Sequence, residues 1–239
     1  MKYFTKEWYN TCQNSGWHLN MSVSKNADEF NEEYYRDLYT RRRRAFVKEQ
    51  KEVAEVLEEE FSKVKAEVEF MNRHEATVKR MEESIPQEIL AEVADTRVLA
   101  LDIATKEVRQ KLKAWCEGNY KEMHRVMDLY WKQVCPELKD AVGEEIQKNF
   151  NFHDATIKSV ELKPDTLAFK MDGCAEDVKK VIFKNYKVLE QDGYLLGATW
   201  LYHEVYAVEG GNEYHALLWK NGGKLAYLTV FAEDIEFVK

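Results

Sequence analysis

Proline and glycine are scarce in the first part of this sequence. Neither residue occurs between Trp17 and Pro86, and seven of the ten glycines follow Asn151. Because both residues interrupt helices and mark turns, this distribution excludes a chain of short strands at the start and predicts long helices there. We therefore expect an α+β fold, with an all-helical bundle over residues 1–149 and an antiparallel β-meander over residues 150–239.

An excess of positive charge is also missing. The formal net charge is −8. Through Asn149 there are 25 basic and 29 acidic residues, and after it there are 10 and 14, so both predicted domains are acidic. Surfaces that bind nucleic acids are usually basic, and this balance therefore argues against a nucleic-acid partner.

Long apolar runs and paired cysteines are absent as well. No apolar run approaches the length of a membrane span, and the opening residues lack the uninterrupted apolar core of a signal peptide. Cys12, Cys116, Cys135 and Cys174 are far apart in the sequence and include no CxxC pair. This pattern is typical of reduced thiols in a cytosolic protein. We therefore expect a cytoplasmic protein that does not bind a membrane.

Catalytic and cofactor-binding motifs are missing too. The sequence has no nucleotide-binding glycine motif, no phosphate loop and no GxSxG nucleophile motif. The spacing of four acidic residues would align them on one helix face: Glu88, Glu92, Asp95 and Asp102. On a helical projection that face lies opposite the apolar stripe, and the Glu-x-x-His motif of di-metal sites does not accompany it. We therefore expect a solvent-facing acidic surface, with no catalytic residue, no cofactor and no metal.

The helical region contains several possible helix starts. A capping pattern at residues 26–29 predicts a first long helix with Asn26 as its N-cap. A straight helix from there to Glu83 would be about 85 Å long, which is more than the diameter of a compact domain of this size. We therefore expect the helix to break at residues 72–75 or earlier. Further helices are predicted from Ser84, from Thr105 to Gly118, from Asn119 and from Pro136 to Lys148.

Apolar residues in the middle of the helical region follow the 4-3 spacing of a coiled coil. This seam is interrupted by Glu75 and comprises Leu57, Phe61, Val64, Val68, Met71 and Val78. It predicts either a contact with a second copy, and hence a homodimer through the helical domain, or an amphipathic helix packed inside a bundle. The sequence leaves both alternatives open.

Residues 41–44 are four consecutive arginines with aromatic residues on both sides. Basic residues interleaved with aromatic ones can bind phosphate backbones or stacked bases. However, four consecutive positions on a helix point to every side, so these arginines do not form one stripe. Glu32, Glu33 and Asp37 are also within reach for helix salt bridges. We therefore expect a solvated, ion-paired helix, and a site for an acidic partner or nucleic acid is the alternative.

The second part of the chain has the alternation and turn residues of about six antiparallel strands. The segments 201–206 and 217–219 are apolar on both faces, which indicates that both faces of the sheet are covered, either as half of a sandwich or by helices such as those of the first domain. If Gly210 and Gly211 form a two-residue hairpin, His203 pairs with Leu218 and His215 pairs with Tyr206. The two histidines would then point to opposite faces, which argues against a metal shared by them.

Aromatic residues are unusually frequent in this β region, and several histidines and acids accompany them. Such side chains combine a large contact area with a polar group. Those left exposed would form a surface for a protein or a ligand. The residues we select for this surface are His153, Asp154, Trp200, Tyr202, His203, Tyr206 and Trp219.

Three segments carry a resemblance to known sequences: MKYFTKEWY at the start, DTRVLALDIATKEV in the centre and FHDATI before the first predicted strand. They resemble segments of a bacterial family of unknown function, and the resemblance runs over nearly the whole chain. The FHDATI segment with the following meander also resembles, more generally, small bacterial domains linked to toxin immunity. These resemblances imply a bacterial cytosolic origin and carry over neither an activity nor site residues.

Two functions are consistent with these patterns. The first is a non-enzymatic protein-interaction or immunity-like accessory protein, favoured by the aromatic sheet, the seam and the missing catalytic motifs. The second is an enzyme or small-ligand binder with a site in the cleft between the domains, using His153, Asp154 or His203 with nearby carboxylates. The first predicts an exposed apolar surface, and the second predicts convergence of those polar groups.

Overall fold

The fold is described by a computed structural model for residues 1–136, 142–173, 177–220 and 222–239. Cys174 and part of the helix predicted from Pro136 to Lys148 lie outside these residues. Within them, helices dominate before residue 150 and antiparallel strands follow it. The predicted α+β fold is therefore confirmed.

The helices are α1 (Lys6–Gln13), α2 (Glu32–Val56), α3 (Lys63–Ser84), α4 (Gln87–Leu90), α5 (Thr96–Leu99), α6 (Lys106–Leu129) and α7 (Glu144–Asn149). A 3-10 turn at Lys25–Ala27 precedes α2, and a π-helical turn at Tyr130–Val134 extends α6. Two short parallel strands, β1 (Ser22–Val23) and β2 (Ile103–Ala104), pair within the helical region.

The long helical segment breaks earlier than the capping pattern at residues 72–75 suggested. Residues 57–62 separate α2 from α3, and Ser62 caps α3 by accepting a hydrogen bond from the Lys65 N–H. Residues 72–75 lie inside α3. Helix α2 is capped by Asn31, whose side chain accepts from the Tyr34 N–H, and not by Asn26, which belongs to the preceding 3-10 turn.

The predicted helix boundaries at Ser84, Gly118 and Asn119 are wrong. Thr105 does precede α6, and its hydroxyl accepts a hydrogen bond from the Val108 N–H. However, α6 continues through Gly118 and Asn119 to Leu129. One internal glycine costs a helix only about 1 kcal/mol, and burial of apolar residues along α6 outweighs that cost. Ser84 ends α3 and does not cap a new helix, since α4 starts after Pro86 without a side-chain cap.

The predicted acidic face does not form, because its residues do not share one helix. Glu88 lies in α4 and Glu92 follows it, where it forms an ion pair with Lys111. Asp95 is the N-cap of α5 and binds the Arg97 guanidinium at 2.8 Å, and Asp102 has a left-handed backbone with φ 62°. A helical projection is valid only within one continuous helix. This segment instead forms two separate four-residue helices, α4 and α5.

The chain divides into two compact units. One consists of Met1–Cys12 with Lys121–Lys239, and the other is Gln13–Tyr120. The sequence boundary at residues 149 and 150 marks the change from helix to strand, whereas the compact units divide the chain within α1 and α6.

The helical unit has two apolar clusters. The larger one joins the ends of α3, α4 and α5 to α6, and its fully buried side chains include Met81, Leu99, Leu112 and Cys116. The smaller one packs Leu38 of α2 on residues of α5 and its following turn. Aromatic contacts hold α2 against α3: the Phe70 ring lies 5.1 Å from Tyr39 and 5.6 Å from Phe46.

The second unit contains an eight-stranded antiparallel sheet with the order β10-β5-β4-β3-β7-β8-β9-β6. Its strands are β3 (Thr156–Leu162), β4 (Thr166–Asp172), β5 (Lys180–Lys184), β6 (Lys187–Gln191), β7 (Thr199–Val208), β8 (Gly211–Lys220), β9 (Lys224–Ala232) and β10 (Asp234–Val238). Two three-stranded meanders, β3-β4-β5 and β7-β8-β9, meet at the β3–β7 pair, and β6 and β10 occupy the edges.

Both faces of this sheet are covered within the unit, as the two-sided apolar strands predict. On one face, Trp200 and Tyr214 pack around Phe150, which follows α7 and is fully buried. On the other face, Tyr202 packs against Phe4 and Trp8 of the N-terminal segment. Residues from the start of the chain are therefore part of the β unit.

Candidate functional site

The structure separates the seven residues selected from the β region. Trp200 belongs to the core at 1% exposure. Tyr202 is half-buried beneath the N-terminal aromatic residues, and Tyr206 donates its hydroxyl to Glu204 at 2.7 Å. Trp219 is exposed beside Tyr9, with ring centroids 6.2 Å apart. Trp200, Tyr202 and Tyr206 therefore belong mainly to the sheet and its cover, whereas Trp219 lies at the surface.

His153, Asp154 and Tyr202 do come together. The His153 ring lies 4.9 Å from the Tyr202 ring, and its Nε2 atom is 3.7 Å from Asp154 Oδ2. The His153 Nδ1 atom is hydrogen-bonded to the Leu201 carbonyl, which fixes it as the protonated nitrogen. Asp154 adopts a left-handed backbone, with φ 64°, at the turn before β3. The arrangement is a surface histidine–aspartate pair on an aromatic ring.

His203 and His215 face opposite sides of the sheet, as predicted, although the pairing differs from the prediction. His203 pairs with Ala216 and His215 pairs with Glu204. Val208 and Gly211 close the hairpin, so the turn residues are Glu209 and Gly210, and the register is shifted by two residues. A shift of two preserves the face on which each side chain lies. His203 contacts the Phe150 ring edge-on, and burial lowers its pKa to about 4.

Glu204 is the most unusual polar residue in the structure, and the sequence analysis missed it. Its side chain is completely buried. The carboxylate accepts backbone hydrogen bonds from Lys2 at 2.7 Å, Tyr3 at 2.9 Å and Phe4 at 2.7 Å, in addition to the Tyr206 hydroxyl. A signal was present, because a glutamate in the middle of a strand that is apolar on both faces must find buried partners.

Four donors satisfy this carboxylate and define its role. A buried carboxylate is stable only when hydrogen bonds replace its hydration, and three backbone N–H groups are an effective replacement. Burial, and then the hydrogen bond to Glu204, raise the pKa of Tyr206 far above its ordinary value, so this hydroxyl stays a donor. The group anchors the N-terminal segment on the sheet and leaves no free lone pair for general-base chemistry.

A second polar group lies beside this anchor. His215 Nδ1 is 3.2 Å from the Thr229 hydroxyl, and His215 Nε2 is 3.2 Å from the Glu213 carboxylate. The order hydroxyl, imidazole, carboxylate is that of nucleophilic catalysts. However, Thr229 is buried and its hydroxyl donates to Glu190 at 3.2 Å. The Thr229 hydroxyl is thus covered, and we interpret the group as a polar network that runs from the buried Thr229 to the exposed Glu190.

The helical unit exposes apolar residues along the α2–α3 hairpin. Val64, Val68 and Met71 of α3 are 71%, 46% and 41% exposed. The end of α2 and its C-cap add further exposed residues, namely Val53, Val56 and Leu57. We refer to these six residues as the apolar hairpin surface. Four of the six predicted seam residues belong to it, while Phe61 and Val78 are partly buried.

Helical geometry explains why α3 leaves this row uncovered. The face of α3 that packs on α2 carries Ala66, Phe70 and His74. At 100° per residue, Val64, Val68 and Met71 lie about 120° around the helix from that face. They therefore point away from α2.

Two shallow clefts lie along the apolar hairpin surface. One, of about 290 Å³, is lined by Val53, Val56 and Leu57 with the acidic residues Glu49 and Glu52. The other, of about 360 Å³, is lined by Val64 and Val68 with polar and charged neighbours, namely Lys65, Glu69, Asn72 and Arg73. The first cleft is thus acidic at its border, and the second carries two cations and one carboxylate.

Residues capable of binding metals are dispersed in the part of the chain that the structure describes. Within it, no three His, Cys, Asp or Glu side chains are grouped in a way that would hold a metal ion. Cys116 is buried, Cys12 and Cys135 are partly buried, and burial raises the pKa of Cys12 to about 12. Over the same residues, none of the helices has both the length and the apolar composition needed to cross a membrane.

Comparison with known sequences agrees with the resemblance noted above. No curated protein and no solved structure shows significant similarity to the chain. One family matches residues 3–221, which is most of both compact units. The chain therefore belongs to the family described as Protein of unknown function (DUF4085).

Proposed function

We propose that this protein acts by binding another protein through the apolar hairpin surface, as a non-enzymatic accessory protein of the bacterial cytoplasm. The observation that supports this proposal most directly is the exposure of the α3 row. An amphipathic helix inside a bundle would bury Val64, Val68 and Met71, and here they face solvent. Contiguous exposed apolar residues bordered by charges are typical of interaction surfaces.

We further propose that one partner is a second copy of the chain. A twofold axis would bring the acidic α2 cleft of one copy against the more basic α3 cleft of the other, and the same contact would be made twice. Glu49 and Glu52 would then face Lys65 and Arg73 of the second copy. Opposite charges at the border of an apolar contact favour one register over others.

The test is to introduce charge into the α3 row. We expect Val64→Glu with Val68→Glu to convert a dimer into a monomer, because each carboxylate would be buried without a partner in the dimer. Analytical ultracentrifugation over micromolar concentrations measures this change. Circular dichroism should stay unchanged, since both side chains are already exposed in the single chain.

Leu19→Glu with Val23→Glu is the matched control. These two residues are also exposed and apolar and lie in the same unit, but they are outside the hairpin. The control variant should remain dimeric. A wild-type protein that stays monomeric at 100 µM, or a hairpin variant that dimerises like the control, would refute the second-copy proposal. The wider interaction role would be refuted if, in addition, both variants captured the same proteins from the native cell.

A further inference from the structure

A basic groove lies between α2 and α3, near the loop that connects the two helices. Its volume is about 450 Å³. Five cationic side chains line it, with two apolar residues and one acid: Arg43, Arg44, Lys48, Lys51, Lys63, Val47, Phe61 and Glu67. Such an excess of one charge is unusual in a chain whose net charge is −8.

The cations converge because of helical spacing. With Val47 at 0° and 100° per residue, Arg43, Arg44, Lys48 and Lys51 lie between about −40° and 100° on α2. Lys63 and Phe61 reach the same groove from the start of α3 and the loop before it. The four consecutive arginines share no stripe by themselves, but Arg43 and Arg44 share one face of α2 with lysines one and two turns further along the helix.

These charges are largely available to a ligand. The side chains of Arg43 and Arg44 form no hydrogen bond and no ion pair within the described residues. Glu32, one of the acids expected to pair with the arginines, instead binds Arg36 at 3.0 Å and Arg97 at 2.8 Å.

The groove lysines have only loose partners. Lys48 and Lys51 lie 3.5 Å from Glu52 and Glu55, and Lys63 lies 4.0 Å from Glu67. These lysines are well exposed, and exposed ion pairs of this kind contribute little free energy. A ligand carboxylate can therefore replace the acid of each pair at small cost.

The remaining lining is apolar. Val47 and Phe61 are each partly buried and lie among the cations. A ligand that matches this lining must carry negative charges and an apolar face together. The groove between two antiparallel helices is also a shape that accepts a third helix.

We propose that this groove binds an acidic amphipathic helix of a protein partner. From Arg43 to Lys51 the groove extends about 12 Å along α2, which matches two turns of a bound helix. Apolar side chains at i, i+4 and i+7 of that helix would contact Val47 and Phe61. Its acidic residues on either side would bind the arginines and lysines, by the helix-in-groove mode of recognition.

A protein helix fits this groove better than a nucleic acid does. The acids around the groove, among them Glu52, Glu55 and Glu67, would repel a continuous row of phosphates, as would the acidic chain as a whole. A phosphate backbone would also leave the apolar lining without a complementary contact. A short helix can place a few carboxylates at the cations and keep the acids at a distance.

This proposal is independent of the apolar hairpin surface. On α2, Val53 and Val56 lie about 150° around the helix from the centre of the groove. Loss of dimerisation would therefore leave the groove intact, and loss of groove binding would leave the dimer intact. The variants that test each surface are different.

The test uses a fluorescein-labelled synthetic 14-residue peptide with leucine at positions 1, 5, 8 and 12 and glutamate and alanine elsewhere. Fluorescence anisotropy measures its binding to the full-length protein at 50 mM and 200 mM salt. We expect saturable binding that weakens at the higher salt. A scrambled peptide of the same composition should bind on the order of tenfold more weakly, because its apolar residues no longer share one face.

The decisive variant is Lys48→Glu with Lys51→Glu. Both lysines lie in the groove and form i, i+4 pairs with glutamates. The control is Lys79→Glu with Lys113→Glu, which changes the net charge equally and breaks i, i+4 pairs with Glu83 and Glu117 outside the groove. We expect peptide affinity to fall on the order of tenfold in the groove variant and to stay within about twofold in the control.

Each alternative result has a defined meaning. The proposal is wrong if the peptide does not bind, if the scrambled peptide binds equally well, or if the groove and control variants lose affinity alike. It is also wrong if a dT12 oligonucleotide or inorganic tripolyphosphate binds at this groove more tightly than the peptide. The dimerisation of each variant, measured separately, keeps these results distinct from the test of the apolar hairpin surface.

Discussion

At the scale of single residues, Glu204 dominates the β unit. It is a buried carboxylate on a sheet, and the chain segment that satisfies it lies about 200 residues away in the sequence. Hydrogen bonds to a charged acceptor are stronger than neutral ones, and an unsatisfied buried carboxylate is very costly. Glu204 therefore fixes the N-terminal segment on the sheet, and the segment in turn keeps Glu204 stable.

We predict that Glu204→Gln destabilises the protein by about 2–4 kcal/mol. An amide has the same shape, but its NH2 group would face backbone N–H donors and could not accept from them. Urea unfolding followed by near-ultraviolet circular dichroism measures the loss. Glu209→Gln, at the exposed turn of the same hairpin, should change the free energy of unfolding by less than about 0.5 kcal/mol. Equal stabilities for the two variants would contradict the anchoring role.

The selected residues of the β region show what single residues leave undecided. Tyr202, Tyr206 and Trp219 were chosen because aromatic residues are common at interfaces; Tyr202 and Tyr206 pack mainly within the sheet and its cover, and Trp219 is exposed. Sequence patterns report that a side chain is aromatic and on a strand. They do not report which distant segment covers it, and that depends on the position of residues 1–12.

At the scale of elements, α6 shows how packing outweighs a local signal. Gly118 followed by a capping pattern predicted a helix end, and the helix continues for eleven residues beyond Gly118 to Leu129. The face of α6 that carries Leu112 and Cys116 is fully buried. The free energy gained by burying this face exceeds the free-energy cost of one glycine inside the helix.

We predict that Gly118→Ala stabilises the protein by about 0.5–1 kcal/mol, because alanine favours the helix and restricts the unfolded chain. A Cβ atom added at Gly118 meets no atom within 4 Å. Gly211→Ala provides the contrast, since a Cβ there would lie 2.3 Å from the Ala232 carbonyl oxygen. We expect that variant to lose about 2 kcal/mol or more. Calorimetric melting of both variants checks the opposite signs.

The sheet shows a second limit at this scale. The hairpin around Gly210 and the opposite orientation of His203 and His215 were both predictable, because strand alternation has a period of two. The exact register was not, because the bulge between Trp200 and Tyr202 and the position of the turn depend on partner strands. A two-residue error in register leaves His203 and His215 on opposite faces, where they cannot share a metal. A one-residue error would have placed them on the same face.

At the scale of the whole molecule, a buried histidine in one unit and a partly buried histidine in the other link stability to pH. Burial lowers the pKa of His203 in the β unit to about 4 and also lowers the pKa of His74 in the helical unit. His74 Nδ1 is buried without a hydrogen-bond partner among the described residues. Protonation of either ring is therefore easier in the unfolded chain, whose histidines titrate near pH 6.5.

Because the folded pKa values are depressed, the unfolded state binds more protons below pH 6.5, and stability falls as pH falls from about 6.5 towards 4. We predict that His203 alone contributes a loss of about 2 kcal/mol between pH 7 and pH 5. Urea unfolding at both pH values measures it. His203→Phe should reduce this loss, whereas the exposed His124→Phe should not. A free energy of unfolding that does not change over this range would contradict the neutral state of His203 in the folded protein.

The division into units is also decided at this scale. Composition changes near Asn149, and the change from helix to strand occurs there. The compact unit that contains the sheet nevertheless includes Met1–Cys12 and Lys121–Asn149. Composition records the local preference of each segment, while a compact unit is defined by contacts between segments that are distant in sequence.

The sequence by itself determined the classes of structure in this protein: long helices first, antiparallel strands second, and the alternation that sends His203 and His215 to opposite faces. These features follow from the local preferences and periodicities of side chains. Tertiary structure alone decided that the N-terminal segment covers the sheet, that Glu204 is its anchor, that the α3 row stays exposed and that groove cations converge between α2 and α3. Each of these depends on which surface meets which, and burial, not local conformation, supplies the free energy for that choice.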